Sequence, residues 1–280
     1  MPDDIVGEIH ISNRFPYGRA LSSGLQILQA ALFTRFDEAV SGTPGRSNPR
    51  DYIVAGVTCF FIWLCFFMDM GATLERQNML GLAAWTYLII LLWGEDNFVR
   101  LQVIIAVAFA TVGEHFASVY MQGYIYRFDN VPAFVPPGHG AVYLSAVALA
   151  RSHLFKKYAR HILGFVLVTG GIWSVWGAFF ATRGDMLGLC LFAAFTLCVF
   201  LGRSPLVYLG AFFITTWLEL IGTHLGNWYW VVYEPIFGLS QGNPPSGVAA
   251  WYCMVDWVAL TGAPALLALW SRLRLRAKRA

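Results

Sequence analysis

Eight stretches of this chain run for about 17 to 24 residues with few charges, long enough to cross a bilayer core as helices. They lie near 52–70, 78–94, 101–122, 139–155, 162–181, 185–201, 205–225 and 247–270. The apolar residues form runs instead of alternating, so the solvent for this fold is lipid. Composition agrees: 58% of the 280 residues are hydrophobic and 12% are charged, where a soluble domain carries about 25% charged residues. The expected fold is all-α, a polytopic membrane protein of about eight transmembrane helices.

The chain also repeats itself. Met79-Leu80-Gly81-Leu82 recurs as Met186-Leu187-Gly188-Leu189, and Glu114, deep in an apolar run, recurs as Glu219. Pro136-Pro137, followed by Tyr143, recurs as Pro244-Pro245, followed by Trp251. The three offsets are all about 105 to 108 residues and keep one order, as an internal duplication does. An even number of helices in each half makes both halves enter from one side, so the expectation is a 4+4 parallel internal repeat. The division is then a segment 1–50, a first four-helix unit 51–158, a second 159–271, and a basic tail 272–280.

Leu21, Leu25, Leu28, Leu32 and Phe36 recur at helical spacing within the first segment. That pattern suits a helix lying on the membrane face or one packed on the ends of the bundle. No cleavable leader is expected, since the first apolar run begins after about 50 residues. Arg151, Lys156, Lys157 and Arg160, together with Arg100, Arg203 and the tail from Arg272 to Arg279, all fall on one side of an eight-helix bundle. The opposite loops hold only Arg76, Arg127 and Arg183. The positive-inside rule therefore places both termini in the cytoplasm, with the cell inner membrane as the expected location. The basic tail suits a membrane surface, and no nucleic-acid partner is expected. Cys59, Cys65, Cys190, Cys198 and Cys253 sit in apolar runs without a CxxC pair and read as packing residues.

The candidate chemistry lies in the outer half. Glu114 and Glu219 stand about 13 and 14 residues into their helices, roughly 20 Å from the inner face. Asp256 enters from the other end, roughly 14 Å deep, and is expected in the same layer. Carboxylates in lipid are costly, so these three should face the bundle interior. One reading is that they only tie helices together by hydrogen bonds. His115, His139 and His224 cluster on the same side. Glu114, His115, His139, Glu219 and His224 are the types that hold zinc or iron. Against a metal, Glu114 and His115 point about 100° apart on a helix. No cofactor is expected, because no nucleotide loop, Ser-His-Asp order or haem-attachment motif occurs.

A general acid needs fewer parts. A carboxyl in an apolar pocket keeps its proton near neutral pH and can give it to a carbon–carbon double bond. Aromatic faces and a nearby carboxylate would stabilise the carbocation. Glu219 is the expected acid, Glu114 or Asp256 its partner, and His224 and His139 polar aids or water positioners. Tyr126, Tyr143, Trp228, Trp251 and Tyr252 are the expected substrate-binding side chains, although aromatics also form the ordinary interfacial belt. The two long outer connections, about 123–138 and 226–246, are rich in Gly, Pro, Asn and aromatics and suit caps over a cavity.

Glu219-Leu220-Ile221-Gly222-Thr223-His224-Leu225-Gly226, followed by Trp228 and Tyr229, resembles the signature of carotenoid-biosynthesis membrane proteins of the hydratase type. In that family a glutamate precedes Gly-Thr-x-x-Gly, then a glycine and spaced tyrosines. Glu114 with Gly123-Tyr124-Ile125-Tyr126 echoes it in the first half. The second copy lacks the short insert and second glycine of the family pattern, and His224 replaces a different residue. The resemblance implies hydration of a terminal double bond of a long polyene. From the residues, three functions stand side by side: a membrane enzyme (hydratase or isomerase) on an isoprenoid or other lipid, a small-solute or proton-coupled transporter, and a non-catalytic scaffold.

Overall fold

The computed structural model describes residues 16–46 and 48–277, with side chains over 26–46 and 48–274. His10, Lys278 and Arg279 lie outside the described residues. Leu21, Leu25 and Arg276 lie where the backbone alone is described.

Ten helices form. Five are long and apolar enough to cross a membrane: α2 (Pro49–Asp69), α4 (Asn97–Glu114, prolonged by a π-helical segment to Tyr120), α7 (Ala159–Phe179), α9 (Pro205–His224) and most of α10 (Ala249–Ala277). Three more of the eight expected stretches fold as helices without meeting that measure. These are α3 (Leu74–Trp93), α5 (Val135–Arg151) and α8 (Met186–Leu201). Glu75, Arg76 and Gln77 make the first turn of α3 polar, and α5 and α8 have 17 and 16 residues. The helix expected at 139–155 instead starts at Val135, because Pro136 and Pro137 fit its first turn, where no amide partner is needed. It stops at Arg151, where Ser152 caps the short α6 (His153–Lys157).

α1 (Pro16–Gly42) packs on the bundle over its C-terminal half. Phe36 is buried, and Phe33 and Phe36 meet Phe200 edge to face at the end of α8. Ile27 and Leu28 remain exposed.

The core is built around α5 and α9. Ala146 and Gly210 bring their backbones together, since a Cβ on Gly210 would stand 3.0 Å from the Ala146 carbonyl oxygen. Small residues at such a crossing permit the close van der Waals packing that holds helices together in lipid. α4 and α10 pack against each other, and both α5 and α10 flank α4 and α9.

The two ends of the bundle are fastened differently. At the end near α1, Arg151 donates from Nη2 to Asp51 (2.7 Å) and from Nη1 to Glu95 (2.7 Å). Arg50 also pairs with Glu95 and caps the last carbonyls of α3 at Leu91 and Gly94. Asp51 and Glu95 are buried, so this cluster joins the ends of α2, α3, α4 and α5. Burial pushes the Glu95 carboxyl up, but the hydrogen bonds and charges of Arg151 and Arg50 outweigh it and hold it below the ordinary value. Its folded state therefore binds the proton less readily than the unfolded chain. The stability it contributes is present above the ordinary glutamate range and is lost as pH falls through the folded value. Denaturant midpoints measured in detergent are expected to fall with pH in wild type and to fall less in Glu95→Gln, with wild type the more stable at neutral pH and the two converging at low pH.

At the other end the chain makes its only strands among the described residues, β1 (Tyr124–Tyr126) and β2 (Trp228–Trp230). They pair antiparallel, Tyr124 opposite Trp230 and Tyr126 opposite Trp228. Asp69, at the end of α2, anchors this ribbon by accepting from Gln77, Arg127 and Asn227. Arg183 donates to the carbonyls of Trp230, Val231 and Gln241.

Candidate functional site

The ribbon is what positions the chemistry. Residues i and i+2 of a strand share a face, so Tyr124 and Tyr126 both point from β1 into the bundle, and Trp228 and Trp230 do so from β2. Each pair meets a glutamate. Tyr124 and Tyr126 donate to Oε2 of Glu114 at 2.6 and 2.9 Å. Trp228 and Trp230 donate through Nε1 to Oε2 of Glu219, both at 3.1 Å. Glu114 closes α4 just before the chain widens into the π-helical turn, a distortion that often accompanies functional sites.

The two carboxyls differ in what else they touch. Glu114 Oε1 meets His139 Nε2 at 2.8 Å, so both its oxygens are hydrogen-bonded. No hydrogen bond from the described residues reaches Glu219 Oε1. Both side chains are buried, and both face one cavity of about 270 Å³. Its wall is otherwise apolar and aromatic, drawn from α2, α3, α4, α5, α8, α9, α10 and both strands. Phe116 lines this cavity and is also half exposed on the flank of the bundle.

Gly222 makes room for one of the four donors. A Cβ there would stand 1.9 Å from the Trp228 indole. Gly222→Val is expected to push the indole off Glu219 and cost about 1–3 kcal/mol through overpacking. Denaturation in detergent measures this as a lower midpoint than that of wild type.

Of the residues expected at the site, Glu114, Glu219, His139, Tyr126, Trp228, Trp251 and Tyr252 all line the cavity, with His139 stacked on Tyr252 at 5.1 Å. Four do not. His115 and His224 are exposed and point away, because neighbouring helix positions diverge and His224 closes the last turn of α9 on its outer face. Asp256 and Tyr143 are buried but off the wall, each one helical turn beyond a lining residue, Tyr252 and His139 respectively. Depth counted along a helix places a residue in a layer but not on a face. Among the described residues, no group of three or more His, Cys, Asp or Glu is arranged to hold a metal ion. The set Glu114, His115, His139, Glu219 and His224 is therefore not brought together.

Tyr124 and Trp230 are not among the substrate-binding side chains expected from the sequence, yet they donate as Tyr126 and Trp228 do. The i, i+2 aromatic spacing of Tyr-Ile-Tyr and Trp-Tyr-Trp is the signal that identifies them.

Set against protein-family models, curated proteins and solved structures, the chain matches none. Fold and site together define a helical protein suited to a membrane. In it, two buried glutamates, each gripped by a pair of aromatic donors, face one apolar cavity.

Proposed function

We propose that the protein is an integral-membrane enzyme that hydrates or isomerises a carbon–carbon double bond of an isoprenoid or other lipid. The observation that carries this is the unequal setting of two carboxyls on one aromatic cavity. Glu114, with both oxygens hydrogen-bonded, is suited to remain an anion. Glu219 lines the same cavity, has one oxygen that accepts no hydrogen bond from the described residues, and is suited to hold a proton there. Carboxyls kept in opposite states by their surroundings are how one site supplies an acid and a base together.

In the proposed reaction, Glu219 gives its proton to one alkene carbon, and the π electron pair forms the new C–H bond. The cation left on the adjacent carbon lies among aromatic rings, with the Glu114 anion nearby to stabilise it. In hydration, a water attacks that carbon and loses its proton to Glu114, giving an alcohol. In isomerisation, Glu114 instead removes a proton from a neighbouring carbon, and the C–H pair becomes the shifted double bond. Transfer of that proton back to Glu219 closes the cycle. His139 orients Glu114 and shares its proton. Phe116, which lines the cavity and is half exposed on the flank, is suited to admit a substrate from the bilayer.

The matching devices at Glu114 with Tyr124 and Tyr126, and at Glu219 with Trp228 and Trp230, support a duplicated 4+4 unit of eight crossings. The antiparallel pairing of β1 with β2 suits a twofold relation between the halves. Arginine placement supports cytoplasmic termini in a bacterial inner membrane, with the cavity toward the outer side.

Lipid extracts from cells with and without the gene test this proposal. A lipid species gained or lost with the gene is the expected result. Unchanged lipids, together with solute flux in proteoliposomes, would establish the transporter instead.

A further inference from the structure

Among the described residues, the wall of the cavity carries two carboxyls, Glu114 and Glu219, and no lysine or arginine. The arginines that fasten the ribbon are engaged elsewhere, Arg127 with Asp69 and Arg183 with backbone carbonyls. Glu114 accepts hydrogen bonds from Tyr124, Tyr126 and His139, a setting that favours the anion. His139 needs only the one N–H that this contact uses, since its Nδ1 meets no acceptor among the described residues. A neutral imidazole therefore suffices. The wall is negative and holds no countercharge of its own. Buried charges are ordinarily paired, so a partner for this one would come with a ligand.

The aromatic part of the wall is ordered to match. Phe66, Trp228, Tyr126, Tyr124 and Trp230 follow one another in contact, with successive ring centroids 5.1, 5.8, 5.7 and 4.6 Å apart. Successive planes are inclined by 43° to 82°, so the faces look in different directions and form a box, not a stack. Four of these rings aim the O–H or N–H on their edge at a carboxyl. The edge of an aromatic ring is its positive part and the face its negative part. The carboxyls take up the edges, and the faces that remain are suited to a cation.

We propose that the cavity is a binding site for a lipophilic ammonium ion, a nitrogen cation carried on an isoprenoid chain and seated between Glu114 and the ring faces. Chains that end in phosphate are excluded, because the wall offers an anion no cation and sets two carboxyls against it. The charge argument stands on the wall alone, and only the choice of an isoprenoid as carrier rests on the function proposed above. The volume of about 270 Å³ lies near the lower end of the roughly 300–1,000 Å³ of ligand pockets. The site therefore holds a small headgroup and the first part of its chain. Binding makes and breaks no covalent bond. The ammonium takes the place assigned to the cation of the proposed reaction, so it competes with substrate.

Farnesyltrimethylammonium, farnesol and farnesyl phosphate share one chain and differ in charge. Each is titrated by calorimetry into the full-length protein in phosphatidylcholine nanodiscs, with empty nanodiscs as the blank. The expected result is one ammonium bound per protein, about tenfold or more tighter than farnesol, the size of a desolvated cation–π contact. Farnesyl phosphate should show no binding above the blank. Glu114→Gln should erase the preference for the ammonium. Trp230→Leu and Trp230→Phe lose the same N–H, and only the first loses a ring, so the preference should fall further in Trp230→Leu. That comparison decides the matter even if Glu114→Gln does not fold. Equal affinity for the three chains, or a preference unchanged in the folded variants, would overturn the site. Selective ammonium binding by a protein that alters no lipid would keep the site and sink the enzyme. Conversion of a lipid by a protein with no such preference would keep the enzyme and sink the site.

Discussion

Replacing Glu219 with glutamine is expected to lower product formation about 10²- to 10⁴-fold, the range in which a positioned acid or base contributes. Folding should survive, because the glutamine carbonyl still accepts from the Trp228 and Trp230 indoles at Oε2 of the present carboxyl. Glutamine cannot supply the proton. Glu114→Gln should lose activity on a similar scale, since the amide cannot take a proton from water or carbon. Residues that act as a unit are strongly non-additive. The double variant should therefore be little slower than the worse single variant, as measured by product formed per protein in proteoliposomes. Two losses that multiply would mean that the carboxyls contribute independently and do not act as a unit.

Arg151→Ala is expected to have the largest effect on stability. Its guanidinium is the shared partner of Asp51 and Glu95, whose side chains are 0% and 1% exposed. Removing one partner of a buried pair costs about 3–5 kcal/mol, because the remaining charges stay buried. Arg46 and Arg50 still reach the two carboxylates, which places the cost toward the lower end. Denaturant unfolding in detergent measures it. Arg160→Ala, which removes an exposed pair with Asp37, serves as the contrast and should leave the midpoint unchanged. Equal effects from the two variants would mean that the cluster does not hold the helix ends together.

The helices were legible because their apolar runs leave no other fold in lipid, and the glutamates because a carboxyl in such a run is conspicuous. Helix ends were less so. The Pro136-Pro137 pair reads equally as a loop or as a first turn, and the neighbours of α5 decide between them. The pairing of β1 with β2 could not be read, since three-residue strands have too little pattern and meet across about a hundred residues of chain. That pairing is what sets four aromatic donors on two glutamates. His224 and Asp256 show the same limit from the other side. Both lie near a glutamate in sequence or in depth, but the direction a side chain takes is set by the whole bundle.

Arg151 plays a different part in the fold from the one its sequence position suggests. In the sequence it counts as one more positive charge in a loop. In the fold it is drawn inward to two carboxylates and caps nothing outside. Arg127 and Arg183, among the few cations at the ribbon end, likewise fasten that ribbon to Asp69 and to backbone carbonyls. Charges counted for orientation can thus have structural partners of their own.

The most direct test of proton transfer to carbon is incubation in heavy water. Wild-type protein and Glu219→Gln, each reconstituted with an isoprenoid lipid extract, are compared by mass spectrometry of the recovered lipids. Deuterium bound to carbon in a lipid from the wild-type sample, and absent with Glu219→Gln, is the expected result. Lipids free of carbon-bound deuterium after incubation with folded wild-type protein would contradict it.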